Sequence, residues 1–440
     1  MCTQYTSGSA GWTRFLTPQV WKEAQRHFQP SKMPHCWTLH RLVMVLLLMT
    51  WCTGDSEAER FLTARALYVA YHQHDKRPGR SYSGFQQALT RLPLPVLHAL
   101  GAAVRHRLQQ AFYRYWRSDG FLVMAMDGSR LECPRSAELE RRLPRCGKKG
   151  SAPMLMVGAL VLLPAGLLWS WAVGPGTADE MALLRLLLPT LPRRTLLVAD
   201  AFYQGYDLYA DLLEARVSFL LRLSSKSELY TATKRPLARF EEGLVWYWPA
   251  QVQKQQRPPL ALRLIRVRGA QKQDVWLLTN VRDRQRLGRR RAAELYRWRW
   301  HVEGVFRSYK RTLPKIKLAS RTAALVYREA EVSLLGLQLL LAQAAARQRQ
   351  GDTVVIVRGS ARAQLLRVRG EITTGIGARL GPWQQRWYRE QLAVVRAGGP
   401  GRKVRRPWPR RKPHRAPKPP KLRVLPQRLK ARIHKHSRVK

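Results

Sequence analysis

The sequence predicts an α/β fold for its central part, and two observations carry that prediction. Between residues 119 and 223, short apolar runs alternate with amphipathic segments, as strands alternate with helices. Two of those runs stop at an acid, Asp127 in FLVMAMD and Asp200 in RTLLVAD. An acid there is expensive unless it lies at a sheet edge, caps a turn or meets a cation.

Taken in order, FLVMAMDGSRLE reads as a strand and residues 153–173 as a hairpin. DEMALLRLLLPTL then reads as a helix, RTLLVAD as a strand, GYDLYADLLEAR as a helix and VSFLLRL as a strand. The hairpin needs justification, because PMLMVGALVLLPAGLLWSWAV is uncharged and long enough to span a bilayer. Pro164-Ala-Gly166 cuts it into two apolar runs around a turn, which favours two buried strands over a membrane helix. LVMVLLLMTWC, residues 42–52, is too short to cross, so no membrane association is expected.

Four other zones flank this one. Residues 1–118 read as helical and could bind DNA ends, although a plain helical bundle with basic faces accounts for them as well. SEAERFLTARALYVAYHQH carries a capping-box pattern, Ser56 with Glu59, and SGFQQAL repeats it with Ser83 and Gln86. AVRHRLQQAFYRYWR closes the zone with a basic, aromatic stretch. Residues 224–280 offer four short strand candidates, SELYTAT, GLVWYWPA, LALRLIRVRG and DVWLLTNV, and read as a β insertion. Residues 281–395 return to helix from about 289, running on into SLLGLQLLLAQAAARQR. Residues 396–440 lack acids, are crowded with Pro, Lys and Arg, and are expected to be disordered, as a phosphate-binding arm or a solubilising tail.

Seventy-nine Lys and Arg face 28 Asp and Glu, a net charge of +51 with a pI near 11.4. Such an excess points to a polyanionic partner, nucleic acid first, with a merely basic surface as the alternative. The five cysteines, Cys2, Cys36, Cys52, Cys133 and Cys146, form no C-x-x-C pair. That usage fits a reducing cytosol without structural zinc, and no export signal is evident.

The chemistry concentrates in YRWRWHVEGVFRSYK, residues 296–310. On a helix at about 100° per residue, Arg299, Glu303 and Lys310 fall within about 60° of Tyr296. Leu295, Val302, Phe306, Tyr309 and Leu313 make an adjacent apolar stripe for the core, and Pro314 ends the run. For Asp127 or Asp200 alone, a turn is the simpler account, since Asp127-Gly128 is a common turn pair. Together with Glu303 they make three carboxylates on one sheet and one helix, which could hold two divalent cations about 4 Å apart for phosphoryl transfer.

These residues carry a resemblance. Asp127 in AMDGS, Asp200 in VADAFY, and Tyr296-x2-Arg299-x3-Glu303-x6-Lys310 resemble the DDE transposases of bacterial insertion sequences, in their IS-four-like branch with a Tyr-Arg-Glu-Lys helix. The hairpin after the first Asp, the β insertion and LLTN ahead of the helix fit as well, so the resemblance covers about residues 119–345. It implies a ribonuclease H-like core in which Asp127, Asp200 and Glu303 bind two Mg²⁺, with Mn²⁺ as a possible substitute. Such an enzyme would cut the terminal inverted repeats of its element and join them to target DNA, working as a synaptic dimer in the cytoplasm at the nucleoid. Tyr296, Arg299 and Lys310 would grip phosphates at the element end. Trp246 and Trp248 fall on one strand face and would stack on a flipped base, or else pack the insertion's core. Arg222 would reach the DNA backbone, or else stand exposed at a strand end; Trp276 reads as core. Two rival functions are a domesticated copy kept as a DNA-binding protein and a ribonuclease H-like nuclease without strand transfer.

Overall fold

A computed structural model of the chain describes residues 15–29, 36–112, 117–118, 120–146, 151–232, 236–268, 274–350, 353–397, 419–427, 429–431 and 433. Five helices come first: α1 (Pro18–Gln25), α2 (Leu39–Trp51), α3 (Glu57–Tyr71), α4 (Tyr82–Arg91) and α5 (Leu94–Phe112). The α/β zone follows with β1 (Arg117–Ser118), β2 (Phe121–Glu132), α6 (Ala137–Arg142), β3 (Met154–Leu162), β4 (Leu167–Pro175), α7 (Glu180–Leu187), β5 (Thr195–Ala199), α8 (Tyr206–Glu214) and β6 (Ser218–Arg222). Next come β7 (Glu228–Thr231), β8 (Glu242–Tyr247), α9 (Ala250–Lys254), β9 (Leu260–Arg268) and β10 (Asp274–Thr279). The remainder is α10 (Arg289–Trp298), α11 (Trp300–Arg307), α12 (Ala323–Ala344), the pair β11 (Ala346–Gln350) and β12 (Thr353–Val357), α13 (Ala361–Arg379), α14 (Pro382–Ala397) and β13 (Lys421–Val424).

One mixed sheet runs in the order β13-β7-β8-β9-β10-β6-β5-β2-β3-β4, with β1 beside β2. At its centre β2, β5 and β6 are parallel. Their buried runs, Phe121–Met126, Thr195–Ala199 and Phe219–Leu221, suit strands covered on both faces. The predicted hairpin is present as β3 and β4, turning at Gly166 with φ of 63°, a conformation glycine adopts without strain. Among the described residues no helix is long and apolar enough to cross a membrane.

The helical zone at the start shares one hydrophobic core with the sheet. Helix α12 is buried along most of its length and packs against α2, α4, α5 and β4. Polar ties join the same parts: the indole of Trp171 donates to Glu331 Oε2 at 2.7 Å, and Arg328 donates to the carbonyls of Leu92 and Thr90. Ser56 caps α3 as expected, accepting from Glu59 N at 3.1 Å. The cap of α4 is Ser81 rather than the predicted Ser83, because the helix begins two residues earlier and Ser81 accepts from Gly84 N. Part of FYRYWR, residues 113–116, lies outside the described residues.

Residues 224–280 do not interrupt the sheet but extend it. β10 pairs antiparallel with β6, and β9, β8 and β7 follow outward. Trp276 is core, as read. The tail also departs from expectation: Lys421–Val424 pairs in parallel with β7, so this part of residues 396–440 is an ordered strand. Leu425 and Leu429 are buried with Tyr206, Tyr230, Trp248 and Val252, and Arg423 pairs with Glu228 at 3.1 Å. The charge count hid three leucines and a valine in KLRVLPQRL, and β7 offered an unpaired edge. The basic stretch from 398 to 418 lies outside the described residues.

Candidate active site

The parallel register builds the centre of the site. The last paired positions are Ala125↔Val198 between β2 and β5, and Ala199↔Leu221 between β5 and β6. Continuing both registers sets Asp127, Asp200 and Arg222 side by side where the parallel pairing ends: β5 and β6 stop there, while β2 runs on to Glu132 paired, among the described strands, with β3 alone. That is where open α/β sheets place their ligands. Each aspartate is fixed by a backbone donor: Asp127 Oδ1 accepts from Gly128 N at 2.9 Å, and Asp200 Oδ1 from Phe202 N at 2.8 Å. Burial pushes the Asp127 carboxyl up to about 6; the charges of Asp200 and Glu180 add to the rise, and the Gly128 N–H and Arg299 oppose it.

The predicted helix over 296–310 is present but broken. Bonds from Arg299 N to Tyr296 O and from Val302 N to Arg299 O, both 3.1 Å, span three residues, so the chain tightens at Arg299 between α10 and α11. It then widens into a π-helical turn at Ser308–Thr312. The apolar stripe survives, with Leu295, Val302, Phe306, Tyr309 and Leu313 all buried. The polar stripe is altered by the change of pitch. Tyr296 and Arg299 are buried, and the charges of Arg299, Arg222 and Asp200 act on the Tyr296 phenol, which burial holds above the usual tyrosine range. Glu303 keeps 42% of its side chain exposed, and its Oε1 stands 3.9 Å from Arg299 Nη2. Lys310 is half-buried in the π turn, and loss of water lowers its pKa.

Two buried atoms of this helix lack partners. Tyr296 Oη and Arg299 Nε meet strict hydrogen-bond geometry with no partner, on residues only 8% and 7% exposed, although the Arg299 side chain stands beside the Tyr296 phenol and acts on it. Buried donors left unpaired are rare, and here they sit beside carboxylates and a second arginine, as sites awaiting a ligand do. Arg299 also lies 4.6 Å over the ring of Trp300, which is 60% exposed.

Sequence reasoning missed Glu180 and Tyr203. The Tyr203 hydroxyl donates to Glu180 Oε2 at 3.0 Å, and Tyr203 is 1% exposed. Glu180 opens α7, behind the capping Asp179, so its sequence signal was only that of an acid at a helix start. Glycines seat this helix. A Cβ on Gly158 would lie 3.0 Å from Leu183 Cβ, and one on Gly174 would lie 2.8 Å from Ala178 Cβ. At Gly128 a Cβ would lie 2.4 Å from the carboxyl carbon of Glu180. Gly128→Ala must displace the Glu180 carboxyl and the Met156 methyl, both ends of flexible side chains, and is therefore expected to cost at most about 1 kcal/mol, the low end of overpacking. Urea unfolding checks this, and a neutral result would mean that Glu180 swings away freely.

Trp246 and Trp248 do not join this group. β8 lies four strands from β5, on the order of 19 Å across the sheet. Trp248 is 1% exposed and donates to Arg257 O at 2.8 Å, so it packs as core and offers no open face; Trp246 is half-buried.

Residues 119–339, just over half of the chain, match the transposase DDE domain family. The chain belongs to that family. This DDE transposase also resembles a solved structure, the piggyBac transposase synaptic complex with hairpin DNA, at 9% identity and a TM-score of 0.45, over 88% of this chain and 84% of that one. No curated protein matches it. Asp127, Asp200, Glu303, Tyr296, Arg299, Lys310 and Arg222 all fall within the matched range, as do Glu180 and Tyr203. Among the described residues of the transposase, no three His, Cys, Asp or Glu side chains are gathered closely enough to hold a metal ion. The donor set still fits a hard divalent cation. It is all oxygen, and such a cation takes only one or two carboxylates beside waters and substrate phosphates.

Proposed function

We propose that this transposase is a ribonuclease H-like enzyme of the IS-four-like branch. It cuts at the ends of an insertion sequence and joins the freed 3′-hydroxyls to target DNA. The observation that carries this is the row Asp127–Asp200–Arg222 with unpaired Tyr296 Oη and Arg299 Nε beside it. Carboxylates and cations suited to phosphate thus lie together where the parallel pairing ends.

Asp127 and Asp200 hold divalent cations, with Glu303 as the third ligand, and Mg²⁺ or Mn²⁺ suits their oxygens. When bound, such ions acidify water or a 3′-hydroxyl and stabilise the leaving oxygen. The protein does the rest by position. Arg299 can fork onto a phosphate that Arg222 also approaches, and Tyr296 Oη can donate to the same group. Once Arg299 turns to a phosphate, Glu303 loses its nearest cation and is free to face the aspartates. Lys310 acts as a point charge further along the DNA. Two ends must be held together for transfer, which favours a dimer on double-stranded DNA. The net charge of +51 suits that partner.

The test incubates the chain and Mg²⁺ with DNA carrying the element's terminal repeats. Cleavage and joining are expected, and Asp127→Ala, Asp200→Ala and Glu303→Ala should each lose at least about 10²-fold, the scale of a lost catalytic group. Full activity in any one of them would remove that residue from the ligand set. Cutting without joining would favour a nuclease.

A further inference from the structure

We propose that the cleft between α3, the loop at residues 72–81 and α14 is a second DNA site, where Arg65, Arg77 and Arg80 grip phosphates of one strand and Trp383 stacks on an unpaired base. The inference rests on the DNA reading above and adds a contact to it, since all four residues lie outside the range matched to the DDE domain. α14 packs along α3 over a small core of Ala66, Val69, Ala70 and Leu380. The cleft opens beside that core, and three arginines and two tryptophans line it without any acid. Arg65 is its floor, only 5% exposed. The Arg65 Nε donates to the carbonyls of Gly79 and Pro78, at 2.9 and 3.3 Å, and the guanidinium lies 5.0 Å over the ring of Trp387.

A buried cation is expensive without an opposite charge. Among the described residues no acid pairs with Arg65, Arg77 or Arg80; Asp75, in the same loop, stands 3.7 Å from His72 and accepts from Tyr68 Oη at 3.3 Å. Burial and the like charges of Arg80 and Arg77 lower the Arg65 pKa to about 10. Three cations thus repel one another around a place that an anion would relieve. The cleft has a volume of only about 20 Å³, room for a water and far too little for a cofactor. A ligand must therefore lie across its mouth, where Arg77 and Arg80 are exposed and Trp383 is 58% exposed. A phosphodiester chain meets those demands: its phosphates face the arginines and a base faces the indole, the combination of cations and rings that holds single strands. A fully paired duplex keeps its base faces stacked inside and offers the indole none.

Fluorescence anisotropy tests the site, with the full chain bound to an oligothymidylate and to a duplex of equal length over a series of salt concentrations. Arg77, Arg80 and Trp383 are exposed, so replacing them should leave the melting temperature in place. Trp383→Ala should weaken binding of the single strand by about 5-fold or more and that of the duplex far less. Arg77→Ala and Arg80→Ala should each lower the salt slope on the single strand by about 0.7, one phosphate apiece. Inorganic phosphate at matched ionic strength should not displace the strand. Displacement by phosphate with full affinity in Trp383→Ala would leave an anion site only and overturn the inference. Equal losses on both DNAs in Trp383→Ala would also overturn it, in favour of a duplex contact. If the parent chain binds and cuts DNA while all three variants match its affinity and slope, the DNA reading stands and the cleft falls. If the parent chain binds neither DNA, both fall.

Discussion

Asp127→Asn is expected to stabilise the cation-free protein at pH 7 by about 1–3 kcal/mol while removing DNA cleavage. Burial, Asp200 and Glu180 raise the carboxyl from 3.8 to about 6, a rise of about two units at 1.36 kcal/mol each, discounted for partial solvent access. The sign follows from proton linkage. A carboxyl with a raised folded pKa binds its proton more tightly in the native state, so its relative stabilisation is complete below about 4. That advantage is lost as pH rises through 6, where the native state must carry an ionised, partly desolvated Asp127. Asn keeps the acceptor that Gly128 N–H uses and never ionises. Urea unfolding at pH 4 and pH 7 should therefore show the variant's gain at pH 7 only. An equal gain at both would mean that charge is not the cause. Mn²⁺ should raise the melting temperature of the parent chain and leave the variant unmoved, because only a native-state ligand site transmits binding energy to stability.

Lys315→Met should be among the most damaging single changes outside the centre, costing about 3–5 kcal/mol, as breaking one half of a buried pair does. Lys315 and Glu329 are 5% and 6% exposed, and Lys315 Nζ stands 2.6 Å from Glu329 Oε1. Glu329 also accepts from the backbone N–H groups of Ala319 and Ser320. It thus folds the segment after the Tyr296–Lys310 helix onto α12. Burial alone would raise the Glu329 carboxyl, but Lys315 and these donors outweigh burial and hold it below the usual range. The stability this pair confers is present above the ordinary glutamate pKa and is lost as pH falls through the depressed one. Urea unfolding of Lys315→Met at pH 7 checks the magnitude. A loss under about 1 kcal/mol, the ordinary value of an exposed pair, would show that water reaches Glu329.

Much of the fold was legible because strands announce themselves by period and by where they stop. FLVMAMDGSRLE is β2 residue for residue, and Pro164-Ala-Gly166 marked the β3–β4 turn. The pairing of Asp127 with Asp200 was legible for the same reason: both acids end apolar runs of similar length on what became adjacent parallel strands. Arg222 joined them through a register that no local pattern encodes. Glu180 was hidden because a helix-start acid has an ordinary explanation and the glycines that seat its helix, Gly128, Gly158 and Gly174, are spread across three strands. The single stripe on 296–310 assumed a constant pitch, and the tightening at Arg299 and the π turn broke it. The tail strand was masked by composition, since its few apolar residues count for little among so many charges yet suffice to bury one edge.

The parallel seam between β13 and β7 brings Lys421 beside Glu228 across nearly two hundred intervening residues. Closing so long a loop costs entropy that only a short strand and a few apolar side chains can repay. This seam should therefore form last and open first, long before the β2–β5 centre unfolds. Each such opening leaves the β7 edge bare. The sheet thus has a slow, reversible margin far from its chemistry, and the cooperative unit that keeps Asp127 beside Asp200 need not include it.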